Sequence, residues 1–417
     1  MKKRLLLLTL LIFASVKSNA QWVEVEPPVS NQFANCLLSK DGKLYVGMNS
    51  GVYSSNNNGD SWDDTHSTDV NTGMAIKFMI STANNIYAAG VSGGSGTYVN
   101  PIKYNGTSWV ADTIGLPQRE TQAFFTDGNR LFIAFIGNTS LSMYTKLESE
   151  TSWTAVSSIG VTSNPSIWNA VYTIYKVNTT YYIITGGYNK VWSSTDGINF
   201  TESSSTIPQE ATCAYSDASA AYIGTKAGLY KTTDGSTFTR IDSGFPMYAS
   251  VLGPGVQYVY VSGTDIYASS KWVDAINQST TGTISWTDIT SSSSIIEAQI
   301  NSVVSHNGAL FATQQVWEAA KAPIVRYGTP TTTGISNSNK KATFGVYPNP
   351  SSEFITVNNV PSGSTLNILD ITGKVVYTSV VTNDQITINT SELINGMYLI
   401  RLDNNGQSTS KQLIVNK

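Results

Sequence analysis

A repeat through residues 21–328 constrains the fold more than any other feature of the sequence. Seven tight-turn signals, each followed by a short strand of aromatic and β-branched residues, recur with a mean spacing of about 44 residues. Signals of this kind join antiparallel strands in hairpins. They are Asp41-Gly42, Asn84-Asn85, Asp127-Gly128, Asn178-Thr179, Asp217-Ala218, Pro254-Gly255 and Asn307-Gly308. The spacing is typical of four-stranded blades, so the sequence predicts an all-β fold that begins with a seven-bladed β-propeller.

The predicted strands also suggest how the ring closes. The last set of strands, within residues 302–327, lacks an outer strand of its own. Residues 22–26 alternate apolar and acidic side chains and could supply that strand. Pairing the first strand with the last blade would remove the exposed edges of an open array.

A second recurring element precedes the outer strands. Residues 55–62 read Ser-Asn-Asn-Asn-Gly-Asp-Ser-Trp, and shorter versions surround Asp196 and Asp234. The pattern resembles the Asp-box of bacterial neuraminidase (BNR) repeats. The polar side chain of such a turn accepts hydrogen bonds from its own backbone, glycine takes a positive φ, and the aromatic ring packs between neighbouring sheets. We therefore interpret the following residues as structural: Ser55, Asn57, Gly59, Trp62, Asp196, Gly197, Phe200, Asp234, Gly235 and Phe238.

Cysteine and histidine content argues against several chemistries. Cys36 and Cys213 fall in the innermost predicted strands of the first and fifth blades, too far apart for a disulfide, so we expect two buried, unpaired thiols. His66 and His306 belong to different predicted blades, and neither has a neighbouring Cys or His at metal-ligand spacing. The sequence thus predicts no metal site, no cofactor and no Ser-His-Asp triad.

Candidate ligand-binding residues lie on one predicted face of the ring. In an antiparallel four-stranded blade, the crossings between blades and the loops from second to third strands share one face, here called the crossing face; the box-like turns lie on the opposite face, here called the box face. Carboxylates and an aromatic platform near the channel mouth would suit a sugar or a peptide, but charged residues in such loops are more often simply solvated. The candidates are Glu120, Glu210, Glu297, Trp168, Arg119 and Tyr188.

Three classes of function stay open on the sequence alone. We favour a non-catalytic binding protein for a glycan, a peptide or another envelope component. A glycoside hydrolase, sialidase-like or glucan-cleaving, is an alternative because of the Asp-box resemblance, although Arg240 is followed by Ile241-Asp242 where sialidases carry Arg-Ile-Pro. A structural adhesin is the third class, since a fold does not fix a function.

The N-terminal residues predict export from the cytoplasm. A basic cluster, Lys2-Lys3-Arg4, precedes an apolar run to Val16 and small residues at 18–20, so residues 1–20 are interpreted as a signal peptide. No later stretch is apolar enough for a transmembrane segment in the mature form. Cleavage would remove only basic charges from a chain of formal net charge −3, and the resulting acidic surface argues against a nucleic-acid partner.

Residues 342–417 form a separate region behind a Thr/Ser/Asn-rich linker at 329–341. Their alternating apolar segments predict a small antiparallel β-sandwich. Their motifs resemble the type A C-terminal sorting domain of the Bacteroidetes type IX secretion system. The resemblance implies an Ig-like sandwich, the secretion machinery as partner, and a secreted or outer-surface location reached via the periplasm. It is carried by Tyr347, Pro348, Asn349, Pro350, Gly373, Gly396 and Tyr398.

Overall fold

The computed structural model describes residues 21–94, 98–135, 142–156, 171–185, 189–217, 219–245, 255–270, 275–290, 299–315, 323–330, 344–360, 363–404 and 407–417. The chain divides into two compact units, Met1–Gly334 and Ile335–Lys417. The predicted signal peptide and most of the predicted linker lie outside the described residues, so both stay predictions.

The first unit contains seven four-stranded antiparallel sheets, numbered here in chain order. In each of the first six, four consecutive strands run from a first to a fourth strand. Sheet 1 comprises β2 (Ala34–Lys40), β3 (Lys43–Met48), β4 (Gly51–Ser55) and β5 (Asp63–Asp64); sheet 2, β6 (Met74–Ser81), β7 (Ile86–Ser92), β8 (Ile102–Tyr104) and β9 (Trp109–Ala111); sheet 3, β10 (Thr121–Thr126), β11 (Arg130–Phe135), β12 (Ser142–Leu147) and β13 (Thr154–Ala155). Sheet 4 comprises β14 (Val171–Val177), β15 (Thr180–Thr185), β16 (Lys190–Ser194) and β17 (Thr201–Thr206); sheet 5, β18 (Ala211–Ser216), β19 (Ala221–Thr225), β20 (Gly228–Thr232) and β21 (Thr239–Arg240); sheet 6, β22 (Val256–Ser262), β23 (Asp265–Ser270), β24 (Ile276–Thr280) and β25 (Thr287–Asp288).

Sheet 7 joins the two ends of the first unit. Its first three strands are β26 (Ile300–His306), β27 (Ala309–Gln314) and β28 (Ile324–Tyr327), and its outer strand is β1 (Trp22–Val25). β1 runs antiparallel to β28, with Trp22 opposite Tyr327. The prediction that the first strand completes the last sheet is therefore confirmed.

The sheets are packed in a closed succession. The first strands contact one another in the order β2, β6, β10, β14, β18, β22 and β26, and β26 contacts β2. Each gap between neighbouring sheets holds its own buried apolar cluster, drawn from both sheets. The predicted all-β class is confirmed: in the described ranges the one helical element is the 3-10 turn η1 (Ser67–Asp69), and no helix there could span a membrane.

Both cysteines occupy equivalent positions in their sheets. Cys36 on β2 pairs with Gly47 and Cys213 on β18 pairs with Gly224, where the missing side chain makes room for each thiol. The thiols are free, and burial raises the pKa of each to about 12. Cys36 is buried, whereas Cys213 is half-buried rather than fully enclosed as expected.

The second unit consists of two sheets around one core. The first contains β29 (Gly345–Tyr347), β30 (Phe354–Asn358) and β33 (Gln385–Asn389); the second contains β32 (Val375–Val381), β31 (Ser364–Leu369), β34 (Gly396–Asn404) and β35 (Gln407–Val415) in that spatial order. Ile355 and Ile388 of the first sheet share a buried cluster with Ile368 and Ile400 of the second. Two sheets that enclose one apolar core form the predicted β-sandwich arrangement.

Candidate ligand-binding site

A β-bulge recurs near the start of the first strand in all seven sheets. In β2, Ala34 pairs with Met48 and Cys36 pairs with Gly47, so Asn35 is an extra residue without a partner across the strand. Bulges redirect side chains and are frequent next to active sites. The corresponding extra residues are Asn35, Lys77, Gln122, Tyr172, Thr212, Gln257 and Asn301. All seven residue types carry a polar group.

Three bulged residues line one pocket on the crossing face. The pocket has a volume of about 400 Å³ and is lined by Phe33, Asn35, Asn49, Lys77, Asn301 and Gln315. These residues belong to sheets 7, 1 and 2, which are neighbours in the ring, and lie at the start of first strands or at the end of second strands. The volume falls within the range of about 300–1,000 Å³ that is usual for small-ligand sites.

The pocket contains a directed chain of hydrogen bonds. Lys77 Nζ donates to Asn35 Oδ1 at 2.7 Å, and Asn35 Nδ2 donates to Asn49 Oδ1 at 3.0 Å. Because an ammonium can only donate, the first bond fixes the orientation of the Asn35 amide, which in turn fixes that of Asn49. The Asn49 Nδ2 group and two Lys77 N–H bonds are then left without an acceptor among the described residues. Burial lowers the pKa of the Lys77 ammonium below its ordinary value.

Three of the residues predicted from the sequence, Glu120, Glu210 and Arg119, lie elsewhere on the crossing face. Glu120 is half-buried and accepts a hydrogen bond from Ser92 N at 3.1 Å. Glu210 forms an ion pair with Lys226 at 2.6 Å. The side chain of Arg119 is exposed, and its backbone carbonyl accepts hydrogen bonds from Tyr98 and Asn100.

None of these three residues is among those that line the pocket. Glu297, Trp168 and Tyr188 lie outside the described residues, so the suggested convergence of three carboxylates beside Trp168 stays a prediction.

A sequence signal for the pocket residues does exist. Each bulge corresponds to one polar or tyrosine residue directly after the first residues of an inner strand, as in Ala34-Asn35-Cys36, Ile76-Lys77-Phe78 and Ile300-Asn301-Ser302. A strand buried on both faces ordinarily reads as a run of apolar residues. The regular interruption therefore marks the position at which the inner strand departs from its pairing.

The box-like turns satisfy their hydrogen bonds internally. In sheet 5, Asp234 Oδ1 accepts the backbone N–H groups of Ser236 and Thr237 at 2.8 and 2.7 Å, and Thr232 Oγ1 accepts that of Gly235 at 2.8 Å. The turns containing Asp196, with Ser194 and Gly197, and Asn57, with Ser55 and Gly59, repeat this pattern. Backbone N–H groups hold the pKa of both carboxyls well below the ordinary value. The largest contribution comes from the N–H of Asn199 for Asp196 and from the N–H of Thr237 for Asp234. These side chains are committed to their own turns.

Aromatic side chains connect each turn to the preceding sheet. Phe200 of sheet 4 packs against Phe132 of sheet 3 with ring centroids 6.5 Å apart, and Phe238 packs in the cluster between sheets 4 and 5. The tryptophans also donate their indole N–H to the outer part of the preceding sheet. The bonds are Trp62 to Glu26 O at 2.9 Å, Trp109 to Thr65 Oγ1 at 2.9 Å, Trp153 to Asp112 O at 2.8 Å and Trp286 to Ile241 O at 2.6 Å. The box face thus holds sheets together, and no group of three or more His, Cys, Asp or Glu side chains suited to a metal ion occurs in the described part of the chain.

In the second unit, the sorting motifs join its first and last segments. Asn349 Nδ2 donates to Gln412 O and Asn349 Oδ1 accepts from Ile414 N, both at 2.8 Å, so one side chain pairs with edge strand β35 as a neighbouring strand would. Tyr347, Pro348 and Pro350 flank this contact. Pairing the edge in this way blunts a surface that could otherwise join another chain.

The other motif residues have local structural roles. Gly373 closes the turn that Asp370 organises, with Thr372 N and Lys374 N bonded to Asp370 Oδ1. Gly396 begins β34, and the buried Tyr398 donates to Ile394 O at 2.9 Å. Gly373 and Tyr398 also line a depression of about 410 Å³ in this unit.

Comparison with solved structures shows that the fold is similar to that of several bacterial proteins. The extracellular domain of the B. thetaiotaomicron protein BT4673, described as a hybrid two-component system, shares 13% identity with a TM-score of 0.55 over 82% of this chain and 45% of that one. The corresponding domain of BT3049 shares 12% identity with a TM-score of 0.52 over 95% and 58% of the two chains. PorZ, a surface component of the type-IX secretion system of Porphyromonas gingivalis, shares 13% identity with a TM-score of 0.49 over 95% and 61%.

The chain thus spans between 45% and 61% of the length of these structures, and at such identities the likeness concerns the fold alone. A comparison with curated proteins found no match. The secretion system C-terminal sorting domain family matches residues 345–416. The last sandwich is therefore a type IX C-terminal sorting domain, and the protein that carries it is secreted or placed on the cell surface.

Proposed function

We propose that the seven sheets are the blades of a seven-bladed β-propeller whose crossing face binds a glycan or a peptide without catalysis. The observation that carries the proposal is the pocket between sheets 7, 1 and 2, where three equivalent bulges present Asn35, Lys77 and Asn301 to one volume. A non-catalytic, exported receptor for a polar ligand accounts for both the sorting domain and the pocket.

The lining chemistry suits a ligand rich in hydroxyl groups. Four carboxamides, those of Asn35, Asn49, Asn301 and Gln315, each offer donors and an acceptor, which matches the mixed donor and acceptor character of a sugar hydroxyl. Phe33 adds an apolar wall. Because the lining side chains project from strands or their ends, they are positioned before a ligand arrives, which lowers the entropic cost of binding.

A hydrolase would need a different lining. Glycoside hydrolysis uses two carboxylates on opposite sides of the scissile bond. The six residues that line the pocket include none, and Asp196 and Asp234 on the box face are bonded to their own turns. The pocket therefore favours binding over hydrolysis.

The test is a binding screen of the purified chain from Gln21 to Lys417 on a glycan array and a peptide library. Any ligand found is then titrated against Asn301→Ala, which removes one lining amide, and against Gln257→Ala, which removes the amide at the equivalent bulge of sheet 6 outside the pocket. We expect a loss of about tenfold for Asn301→Ala, since an unpaired ligand group costs about 1–3 kcal/mol. Unchanged affinity for Asn301→Ala, or no ligand in either screen, would refute the proposal.

A further inference from the structure

We propose that the pocket selects an acidic sugar and that Lys77 binds its carboxylate. The inference rests on the proposed function and specifies its ligand. It depends on the placement of one positive charge among neutral amides, on the direction of their hydrogen bonds, and on the dimensions of the pocket.

Lys77 is a half-buried cation with no anionic partner among the described residues. Its contact in the described part of the chain is the neutral Asn35 Oδ1 at 2.7 Å, and none of the six lining residues is acidic. By contrast, Lys226 on the crossing face has an acidic partner, Glu210, at 2.6 Å. Burying a charge that has no partner of opposite sign is unfavourable. A ligand carboxylate beside Lys77 would offset the desolvation free energy of the ammonium.

The neighbouring amides reinforce a preference for an anion. Since Lys77 orients Asn35, and Asn35 orients Asn49, the Lys77 ammonium and the Asn49 Nδ2 group at this end of the pocket keep N–H bonds that have no acceptor among the described residues. A carboxylate accepts hydrogen bonds at both of its oxygens. Charge-assisted bonds of this kind are shorter and stronger than neutral ones.

The opposite wall indicates why the acid belongs to a sugar. Asn301 and Gln315 come from sheet 7 and supply both donors and acceptors, as ring hydroxyls require, and Phe33 gives a surface for the apolar face of a ring. A peptide bound as an added strand contacts a sheet edge over several residues. A pocket of about 400 Å³ instead encloses one compact group. A single ammonium balances one negative charge, which fits a carboxylate rather than a phosphate dianion.

The experiment compares matched oligosaccharides by calorimetry on the chain from Gln21 to Lys417. The probes are an oligogalacturonate, its methyl ester and the neutral galactose oligomer of the same length. We expect the acid to bind about tenfold more tightly than either neutral probe, and Lys77→Gln to remove that difference, since a hydrogen bond to a charged group contributes about tenfold or more. Lys226→Gln, which deletes the same charge outside the pocket, should leave the preference intact. Thermal unfolding of both variants checks that they fold.

The outcomes separate this inference from the proposed function. If neutral sugars bind as well as acidic ones, or if Lys77→Gln keeps the preference, the carboxylate assignment is wrong while the binding function stands. If an acidic peptide or a sulfated neutral sugar binds in a Lys77-dependent manner and the oligogalacturonate does not, the acidic-sugar assignment is likewise wrong. If no glycan or peptide binds at all, both proposals fail.

Discussion

Replacing Gly235 by Ala would place a methyl group against the ring of Tyr182 on the preceding sheet. Gly235 has φ +82°, which L side chains rarely adopt, and a Cβ built there overlaps the Tyr182 ring atoms. Tyr182 Oη donates to Asp234 O at 2.8 Å, and its ring stacks on Tyr175 with centroids 5.2 Å apart. The methyl group therefore disturbs both the turn and its packing against Tyr182 of sheet 4.

The expected cost follows from these contacts. A left-handed conformation costs a residue other than glycine about 1–2 kcal/mol. Loss of the Tyr182 hydrogen bond adds about 1 kcal/mol, and disturbing the stacked pair adds about 1 kcal/mol. We therefore expect Gly235→Ala to lower the free energy of unfolding by about 3–4 kcal/mol.

A second glycine separates the two effects. Gly128 in the turn between β10 and β11 has φ +94° and open space around a built Cβ, so Gly128→Ala should cost only the backbone term of about 1–2 kcal/mol. Urea unfolding of both variants, followed by tyrosine and tryptophan fluorescence, measures the difference. Equal destabilisation by the two substitutions would show that the box-like turns do not fasten one sheet to the next.

Three further predictions concern other parts of the chain. Deleting residues 22–26 should leave sheet 7 with an open edge, so gel filtration should show aggregation and the melt should lose cooperativity; a monomeric protein with an unchanged melt contradicts this. Burial lowers the pKa of His306 below its ordinary value of 6.5, so the unfolded chain binds a proton more readily than the folded protein does. The free energy of unfolding should therefore fall as the pH is lowered through 6.5. Urea unfolding at about pH 7.5 and about pH 5 should show this loss, and the His306→Gln variant should not show it. Removing residues 342–417 should leave the protein in the periplasm. Finding normal amounts of the truncated protein outside the fractionated cells would disprove the export role.

The strand arrangement was predictable because its signals are local. Asp41-Gly42 and Asn307-Gly308 produce hairpins, since glycine tolerates the positive φ found at both positions. The alternation in residues 22–26 is likewise visible within one short segment, and its pairing with β28 follows from the missing outer strand. The spacing of the repeat and the residues of its turns were therefore enough to predict the strand arrangement.

The pocket was not predictable in the same way, because its residues come together only through the ring. Asn35 and Asn301 are far apart in sequence, and their proximity depends on sheet 7 lying beside sheet 1. The charged residues Glu120 and Glu210, between consecutive sheets, do not line this pocket. Glu210 is neutralised by Lys226 from the loop after β19, a pairing that neither position reveals alone.

The pairing of β1 with β28 also sets an order of events. Sheets 1 to 6 each form from one contiguous segment, whereas the outer strand of sheet 7 pairs with residues about 300 positions later in the chain, and such non-local pairing is slow. Sheet 7 should accordingly be the last sheet to assemble and the first to open. Asn301 and Gln315 lie on one side of the junction between sheets 7 and 1, and Asn35 and Asn49 lie on the other. A ligand in this pocket would contact both sides of the last junction to form. Binding would therefore stabilise the closed ring, and opening of that junction would abolish binding.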